Sequence, residues 1–506
     1  MQDVTRTHRQ SFSVLNMRKA VHHSGNYITL VYIVWFIMGL IWNGEYSPRH
    51  DENDYLTGAK QIIEGNYDSY TLGRAGTLVR PYLYPLFLSI ILIFHEYFKE
   101  MFTFLPDVNI RYIIAPVQAY LFLKAVNSLA EAGRRFGQPV TLGIRLGLLC
   151  QPFLAFLMSD LLADTLSIII WIIISSFFLR NQNLTHFSNL RGLVRTFGLG
   201  CLLGALVVTR SANIPAAFVG FAVVYVIAQR RFLRVCYLAV GSLPRLKRSA
   251  LITGVNLGMF IGGLTFMIIP QAMVMNHRLE LAGEPETFWG AGSAVTSYGV
   301  FMLKYTTAAN LCGDLIPAAV QYDNPFGVSE LELVWIQQGV LGLVLYYAVN
   351  PLYALLHVFN GINYDFPTTY IMSWNIYSNR LFNLVSAMIL AVAVAGAVVR
   401  GSAGLGVIPH LDRRYGFGLV VVSCCVGVSA LQLTIISVEN RYGVVLWSWL
   451  SAWSGIVLTS VVAPASVWRR AYFAIVCGML VVGILLLSEW VLAQSSIVSK
   501  AYILGC

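Results

Sequence analysis

Charged side chains are scarce in this sequence: Asp, Glu, Lys and Arg together make up 11% of its 506 residues. Soluble domains carry about 25%. With 57% hydrophobic residues and a mean hydropathy of +0.67, no soluble fold of this length could hide the apolar surface, so lipid must be the solvent. A CxxC pair is also missing, and with it the usual sign of a zinc or redox site. Cys150, Cys201, Cys236, Cys424, Cys425 and Cys477 lie in or beside apolar runs, where packing accounts for them. The sequence has no internal repeat, no low-complexity tract and no soluble nucleotide-binding unit. Acidic residues are outnumbered by basic ones, 24 to 34, for a formal charge of +10. The basic residues cluster between apolar runs, which points to orientation in a membrane and away from a nucleic-acid partner.

A span needs about 20 apolar residues. Runs of this kind lie near 27–43, 111–130, 139–158, 161–179, 197–212, 213–229, 251–275, 380–399, 417–437, 443–463 and 471–492. The stretches 81–97 and 331–358 are ambiguous. The expected fold is an all-α polytopic membrane protein of about 11–13 transmembrane helices, with short juxtamembrane helices in the first outer loop. Lys and Arg stay cytoplasmic, and this decides the topology. If 81–97 lies at the interface or re-enters, as Pro81 and Pro85 suggest, several basic groups fall inside. They are Arg134, Arg135, Arg180, Arg191, Arg195 and the run Arg230 to Arg248. The same rule keeps 331–358 outside, although a hairpin within 331–379 would preserve the parity and add two spans.

The expected organisation is therefore a cytoplasmic tail over 1–26 and an N-terminal transmembrane module over 27–275, with an outer loop at 44–110. A long outer loop follows over 276–379, carrying interfacial or re-entrant helices. C-terminal transmembrane helices then occupy 380–506, and the C-terminus is outside. In 276–379 only Arg278 and Lys304 are basic, against eight acidic residues.

Two outer loops concentrate the polar chemistry. His50-Asp51-Glu52-Asn53-Asp54-Tyr55 follows the first span, and the residues after it carry apolar groups at helical spacing up to Gly65. That reads as a surface helix with carboxylates at its N-terminal end, where the helix dipole favours them. Simple capping is the plainer alternative. Arg80, at the start of Arg80-Pro81-Tyr82-Leu83-Tyr84-Pro85, is placed to hold a phosphate at headgroup depth or to serve as a snorkelling anchor. The second loop, Ser159-Asp160-Leu161-Leu162-Ala163-Asp164, borders an apolar span. Its spacing puts Asp160 and Asp164 on one helix face, where a carboxylate is costly and so points to function, with capping by Asp160 as the alternative. Near the end, Glu439-Asn440-Arg441-Tyr442 lies between two late spans, where Arg441 either pairs with Glu439 or faces an anionic headgroup. Arg210 and Lys304 are further cations for an anionic ligand. His50, Asp51, Glu52 and Asp54 offer donors for a divalent metal, but the spacing matches no specific metal motif, so a metal stays open and no nucleotide sugar is required.

This pattern resembles the GT-C glycosyltransferases that use polyprenyl-phosphate sugars, the protein O-mannosyltransferase-like enzymes and lipid A aminoarabinose transferases among them. The matching positions are Asp51, Glu52, Tyr55, Gly65, Arg80 and Pro81 in the first loop, Ser159-Asp160 in the second and Arg441-Tyr442 in the late loop. The likeness covers the first 230 residues more fully than the rest. It departs from the family in Arg-Pro-Tyr-Leu-Tyr-Pro, which replaces a proline pair, and in Asp54, a second acid close to Asp51. No soluble domain follows the last apolar run, unlike several members.

The resemblance implies an inverting transfer of a single sugar from a polyprenyl-phosphate donor to an acceptor hydroxyl on a cell-envelope glycan, lipid or protein. The active site would face the periplasm or the outside of a bacterial inner membrane. Asp51, Asp54 and Asp160 would carry the catalysis. Arg80, Arg441, Lys304 and Arg210 would bind the donor phosphate. Tyr55, Glu52, Asp164 and Tyr442 would support them. A polymerase or ligase of lipid-linked glycans and a secondary transporter are the rival classes. The former would depend on arginines more than on Asp51, and the latter on ionisable groups near the bilayer centre.

Overall fold

The computed structural model describes residues 25–41, 50–65, 81–101, 109–180, 190–210, 213, 243–281, 384–385, 387–396, 444–462 and 465–501. Among the described residues all regular structure is helical. The helices are α1 (Gly25–Ile41), α2 (His50–Glu64), α3 (Leu83–Met101), α4 (Arg111–Gly133), α5 (Gln138–Leu149), α6 (Pro152–Leu157), α7 (Ala163–Arg180), α8 (Leu190–Thr209), α9 (Leu243–Leu281), α10 (Ala387–Gly396), α11 (Val444–Val457) and α12 (Val467–Ala501). A π turn, Leu458–Val462, extends α11.

Five of the described segments are long and apolar enough to cross a membrane: Arg111–Phe136, Ala163–Arg180, Leu190–Thr209, Gly254–Met273 and Val467–Leu486. Their outward surface is apolar too. Tyr472, Ile475, Met479, Val482 and Leu486 of α12 are all exposed. Only lipid tolerates such a face over this length. The chain is an all-α integral membrane protein. The expected spans 213–229 and 417–437, the ambiguous stretch 331–358 and most of the loop 276–379 lie outside the described residues.

One expected span needs correction. The apolar run 139–158 forms two helices, α5 and α6, because Pro152 lacks the N–H a continuing helix would need. Gln151 before it is extended (φ −79°, ψ 109°), as a residue preceding proline prefers. Its side chain caps α6 by accepting the Phe153 N–H at 3.3 Å. Helix α9 carries its apolar segment at Gly254–Met273, within the expected 251–275, and continues as helix to Leu281.

Small residues bring the helices together. Gly143 and Gly147 of α5 lie against Ser451 and Gly455 of α11, so closely that a Cβ on Gly147 would strike the Ser451 carbonyl. Gly200 and Gly204 of α8 meet Phe260, Leu264 and Met267 of α9 in the same way, and Gly263 of α9 meets Phe197. Without a hydrophobic driving force between helices in lipid, close backbone approach supplies the attraction.

These contacts fix the helix directions. The α5–α11 pair is antiparallel, since Thr459 donates to the Pro139 carbonyl at 2.7 Å while Gly147 faces Ser451. The α8–α9 pair is parallel, since Thr196 meets Asn256 and Gly204 meets Met267. In α1, Gly25 lies beside Arg145 and Gly39 against Phe156 of α6. So α1 ends and α4 begins at the same end of the bundle, the parity expected when α2 and α3 return to the end they left.

A cluster of arginines marks one end of the bundle, while Arg111 and Arg210 at the other are paired with carboxylates. At the first, Arg135 donates to the Arg180 carbonyl at 3.0 Å, and Arg180 reaches the Ser128 carbonyl at 3.1 Å. The starts of α8, with Arg191 and Arg195, and of α12, with Arg469 and Arg470, belong to this basic end. The opposite end carries Glu52, Asp54, Asp160 and Asp164.

Candidate active site at the acidic end

Helix α2 is amphipathic. Glu52, Tyr55, Leu56 and Ala59, at intervals of three, one and three residues, form its buried face, while Asn53, Asp54, Thr57 and Lys60 are exposed. The helix stops at Gly65, whose φ of 68° lies in the left-handed region that suits a glycine after a helix. The apolar part of this face packs on Tyr84, Leu88 and Leu92 of α3 and on Leu161. Tyr55 meets Tyr84 edge to face, with centroids 5.0 Å apart.

Glu52 is the carboxylate on the buried face, and it is 1% exposed. Its Oε2 accepts from Arg111 Nη2 at 2.7 Å, and its Oε1 accepts the Leu161 N–H at 2.9 Å. Arg111, the first residue of α4, is equally buried, and its Nε has no partner among the described residues. Removing one member of such a pair leaves an uncompensated buried charge, at a cost of about 3–5 kcal/mol.

Two turns along α4, Gln118 makes a second brace. Its Nε2 donates to the carbonyls of Met158 (3.1 Å) and Asp160 (2.9 Å). Its Oε1 accepts from the Tyr84 hydroxyl at 2.8 Å. Burial, and then the charges of Glu52 and Asp160 with the neighbouring Tyr55, push the Tyr84 phenol well above its ordinary value, against a lowering by Arg111.

Asp160 lies in the non-helical turn between α6 and α7 and is half-buried. Asp164 lies in the first turn of α7, is buried, and forms an ion pair with Arg210 at the end of α8. Asp160 and Asp164 were expected on one helix face. That fails because α7 starts only at Ala163, so the two carboxylates are set by different backbone conformations. The expectation that Arg210 serves a donor phosphate meets a competitor, since Asp164 already offsets its charge. Asn213 steadies this corner by donating to Ser167 Oγ at 3.1 Å and to the Leu206 carbonyl at 3.0 Å.

The structure thus gathers Glu52, Asp54 and Tyr55 on α2, the Asp160 turn, and the Asp164–Arg210 pair at one end. His50 and Asp51 stand in the first turn of α2, but their side chains lie outside the described residues, as do Arg80, Lys304, Arg441 and Tyr442. The flanks of two of these are fixed. Tyr82, two residues after Arg80, donates its N–H to Gln271 Oε1 at 2.8 Å and its hydroxyl to the Met267 carbonyl at 2.9 Å, which ties it to α9. Val444, two residues after Tyr442, opens α11, whose antiparallel pairing with α5 directs that opening toward the acidic end. Among the described residues no group of three His, Cys, Asp or Glu is placed to hold a metal ion.

Sequence reasoning missed Arg111, Gln118 and Tyr84. Arg111 at the start of an apolar run gave the same signal that singled out Arg80, and Gln118 is a polar group two turns inside a span.

No protein-family model matches the sequence, and no curated protein matches it. Among solved structures, similarity is found to the archaeal oligosaccharyltransferase AglB from Archaeoglobus fulgidus in complex with an inhibitory peptide and a dolichol-phosphate. The identity is 12% and the TM-score 0.41, over 95% of this chain and 56% of that one. The apo form of the Archaeoglobus fulgidus oligosaccharyltransferase gives 12% identity and a TM-score of 0.42, over 96% of this chain and 56% of that one. The chain spans little more than half the length of these enzymes. Likeness this slight transfers neither their fold nor their activity, so the reading below rests on this chain's own residues.

Proposed function

We propose that the chain is a GT-C-type glycosyltransferase that moves a single sugar from a polyprenyl-phosphate donor to an acceptor hydroxyl at the outer face of a membrane, the inner membrane in a bacterium. One observation carries the reading most. Two carboxylates, exposed Asp54 on α2 and half-buried Asp160 in the turn before α7, come to the bundle end opposite Arg135 and Arg180, and they stand on a buried frame made by Glu52, Arg111 and Gln118. Accessible carboxylates on a rigid base at headgroup depth suit proton abstraction from a hydroxyl.

In the proposed step the acceptor oxygen attacks the anomeric carbon and forms the new glycosidic bond. The bond from that carbon to the phosphate oxygen breaks, with inversion. The hydroxyl proton passes to the base, Asp51 or Asp54, and the polyprenyl phosphate leaves with the electron pair. Asp160 orients the acceptor. Arg80 and Arg441, with Lys304, stabilise the charge growing on the leaving phosphate. Arg210, already paired with Asp164, has less charge to offer. Tyr55, Glu52, Asp164 and Tyr442 support these groups. The acceptor is a hydroxyl of an envelope glycan, a lipid or a protein.

The test uses the purified full chain in lipid nanodiscs with a panel of polyprenyl-phosphate sugars and free undecaprenyl phosphate, scored by thermal stabilisation. Stabilisation that survives in Asp54→Asn and Asp51→Asn but disappears in Arg80→Ala is the expected result. Absence of stabilisation by every member of the panel would overturn the reading in favour of a transporter or a polymerase of lipid-linked glycans.

A further inference from the structure

The peptide group between Asp160 and Leu161 is gripped from both sides. Its carbonyl accepts Gln118 Nε2 at 2.9 Å, and its N–H donates to Glu52 Oε1 at 2.9 Å. The two gripping side chains come from different elements, Glu52 from α2 and Gln118 from α4. Each is 1% exposed, and each is fixed in turn by a further buried group: Arg111 holds the other oxygen of Glu52, and Tyr84 holds the other end of the Gln118 carboxamide. A third tie comes from the Met158 carbonyl, which shares Gln118 Nε2 at 3.1 Å. An isolated turn between two apolar helices needs none of this, because its exposed polar groups are satisfied by water or headgroups.

The geometry points to a positioning clamp. Glu52 and Gln118, backed by Arg111 and Tyr84, fix the plane of the Asp160–Leu161 peptide and so the direction in which the Asp160 carboxylate leaves the backbone. Glu52 is also two residues from Asp54 on the same helix, so the clamp sets the spacing between Asp54 and Asp160. This inference rests on the proposed transferase reading for its consequence in catalysis, but the clamp itself is a statement about one peptide group. None of its four members touches the reacting atoms. They act through Asp160 and α2. A tenth-of-a-nanometre error in such a site is enough to cost about a hundredfold in rate, which gives the four buried groups a reason beyond stability.

The clamp can be tested apart from the reaction. Hydrogen exchange followed by mass spectrometry on the full-length protein in nanodiscs reads protection of the Leu161 amide. The expected result is slow exchange in the wild type and exchange faster by about tenfold in Gln118→Ala, centred on 158–161. Tyr84→Phe keeps the ring against Tyr55 and removes only the hydroxyl that orients the carboxamide. It should give a smaller increase at the same peptide, and it serves if Gln118→Ala does not fold. With any donor that turns over, both variants should lower kcat and leave KM for the donor unchanged, because the donor phosphate is held elsewhere. Unchanged exchange at 158–161 in both variants would overturn the clamp. Faster exchange with unaltered kcat would overturn its role in positioning. If no donor of the panel turns over, the transferase reading fails, and the exchange result still decides whether the clamp exists.

Discussion

Glu52 and Asp54 are two residues apart on one helix and do opposite things. Glu52 faces inward, where a charge is tolerated only because Arg111 and a backbone N–H meet it. Asp54 faces outward, where a carboxylate keeps its contact with water and costs little. We predict that Arg111→Ala destabilises the protein by about 3–5 kcal/mol, since it strands the Glu52 charge, and that Glu52→Gln added to Arg111→Ala recovers part of the loss. Thermal unfolding in one detergent checks both variants. Asp54→Asn should leave the unfolding temperature within the range of ordinary surface changes. The inward side of α2 was readable as an apolar stripe, but the pairing was not. Glu52 and Arg111 are 59 residues apart, and an ion pair of that separation leaves no local periodicity. The pairing of Asp164 with Arg210 was hidden for the same reason, and each side chain by itself resembled a ligand-binding group.

At the scale of elements, patterns that repeat within a few residues were legible and breaks within apolar runs were not. The apolar spacing through Ala59, Ile62 and Ile63 and the stop at Gly65 announce α2, although Ile63 is exposed and the buried face runs through Tyr55, Leu56 and Ala59. The division of 139–158 into α5 and α6 rests on one proline in a run that is apolar on both sides, so length and hydropathy concealed it. The glycines of α5 had no evident role until α11 was laid against them. Gly147→Leu should therefore lower the unfolding temperature sharply, because the new side chain has to displace the Ser451 backbone. Gly478→Ala in α12, where nothing among the described residues lies within 4 Å of an added Cβ, should be neutral or stabilise by about 0.5–1 kcal/mol. Running the two side by side separates the close helix contact from helix propensity. A similar fall in both would mean that α5 and α11 do not approach through these residues.

At the scale of the whole molecule the decisive feature among the described residues is the gathering of Arg134, Arg135, Arg180, Arg191 and Arg195 at the end opposite Glu52, Asp54, Asp160 and Asp164. Counting Lys and Arg along the sequence groups these five arginines together, whereas the pairing of Arg111 and Arg210 with carboxylates at the other end needs the packed helices. The frame under Asp160 was not predictable, because it exists only once α2, α3, α4 and the turn before α7 have come together. The proposed chemistry requires the end that carries Asp54 and Asp160 to face outward and the end with Arg134 and Arg135 to face the cytoplasm. Single cysteines at Asn53 and at Arg134, with the native cysteines replaced, can be labelled by a membrane-impermeant maleimide in right-side-out vesicles. The account predicts labelling of Asn53→Cys in intact vesicles and of Arg134→Cys only after lysis. Labelling of Arg134→Cys in intact vesicles while Asn53→Cys stays protected would place the carboxylates on the cytoplasmic side and contradict the account at its centre.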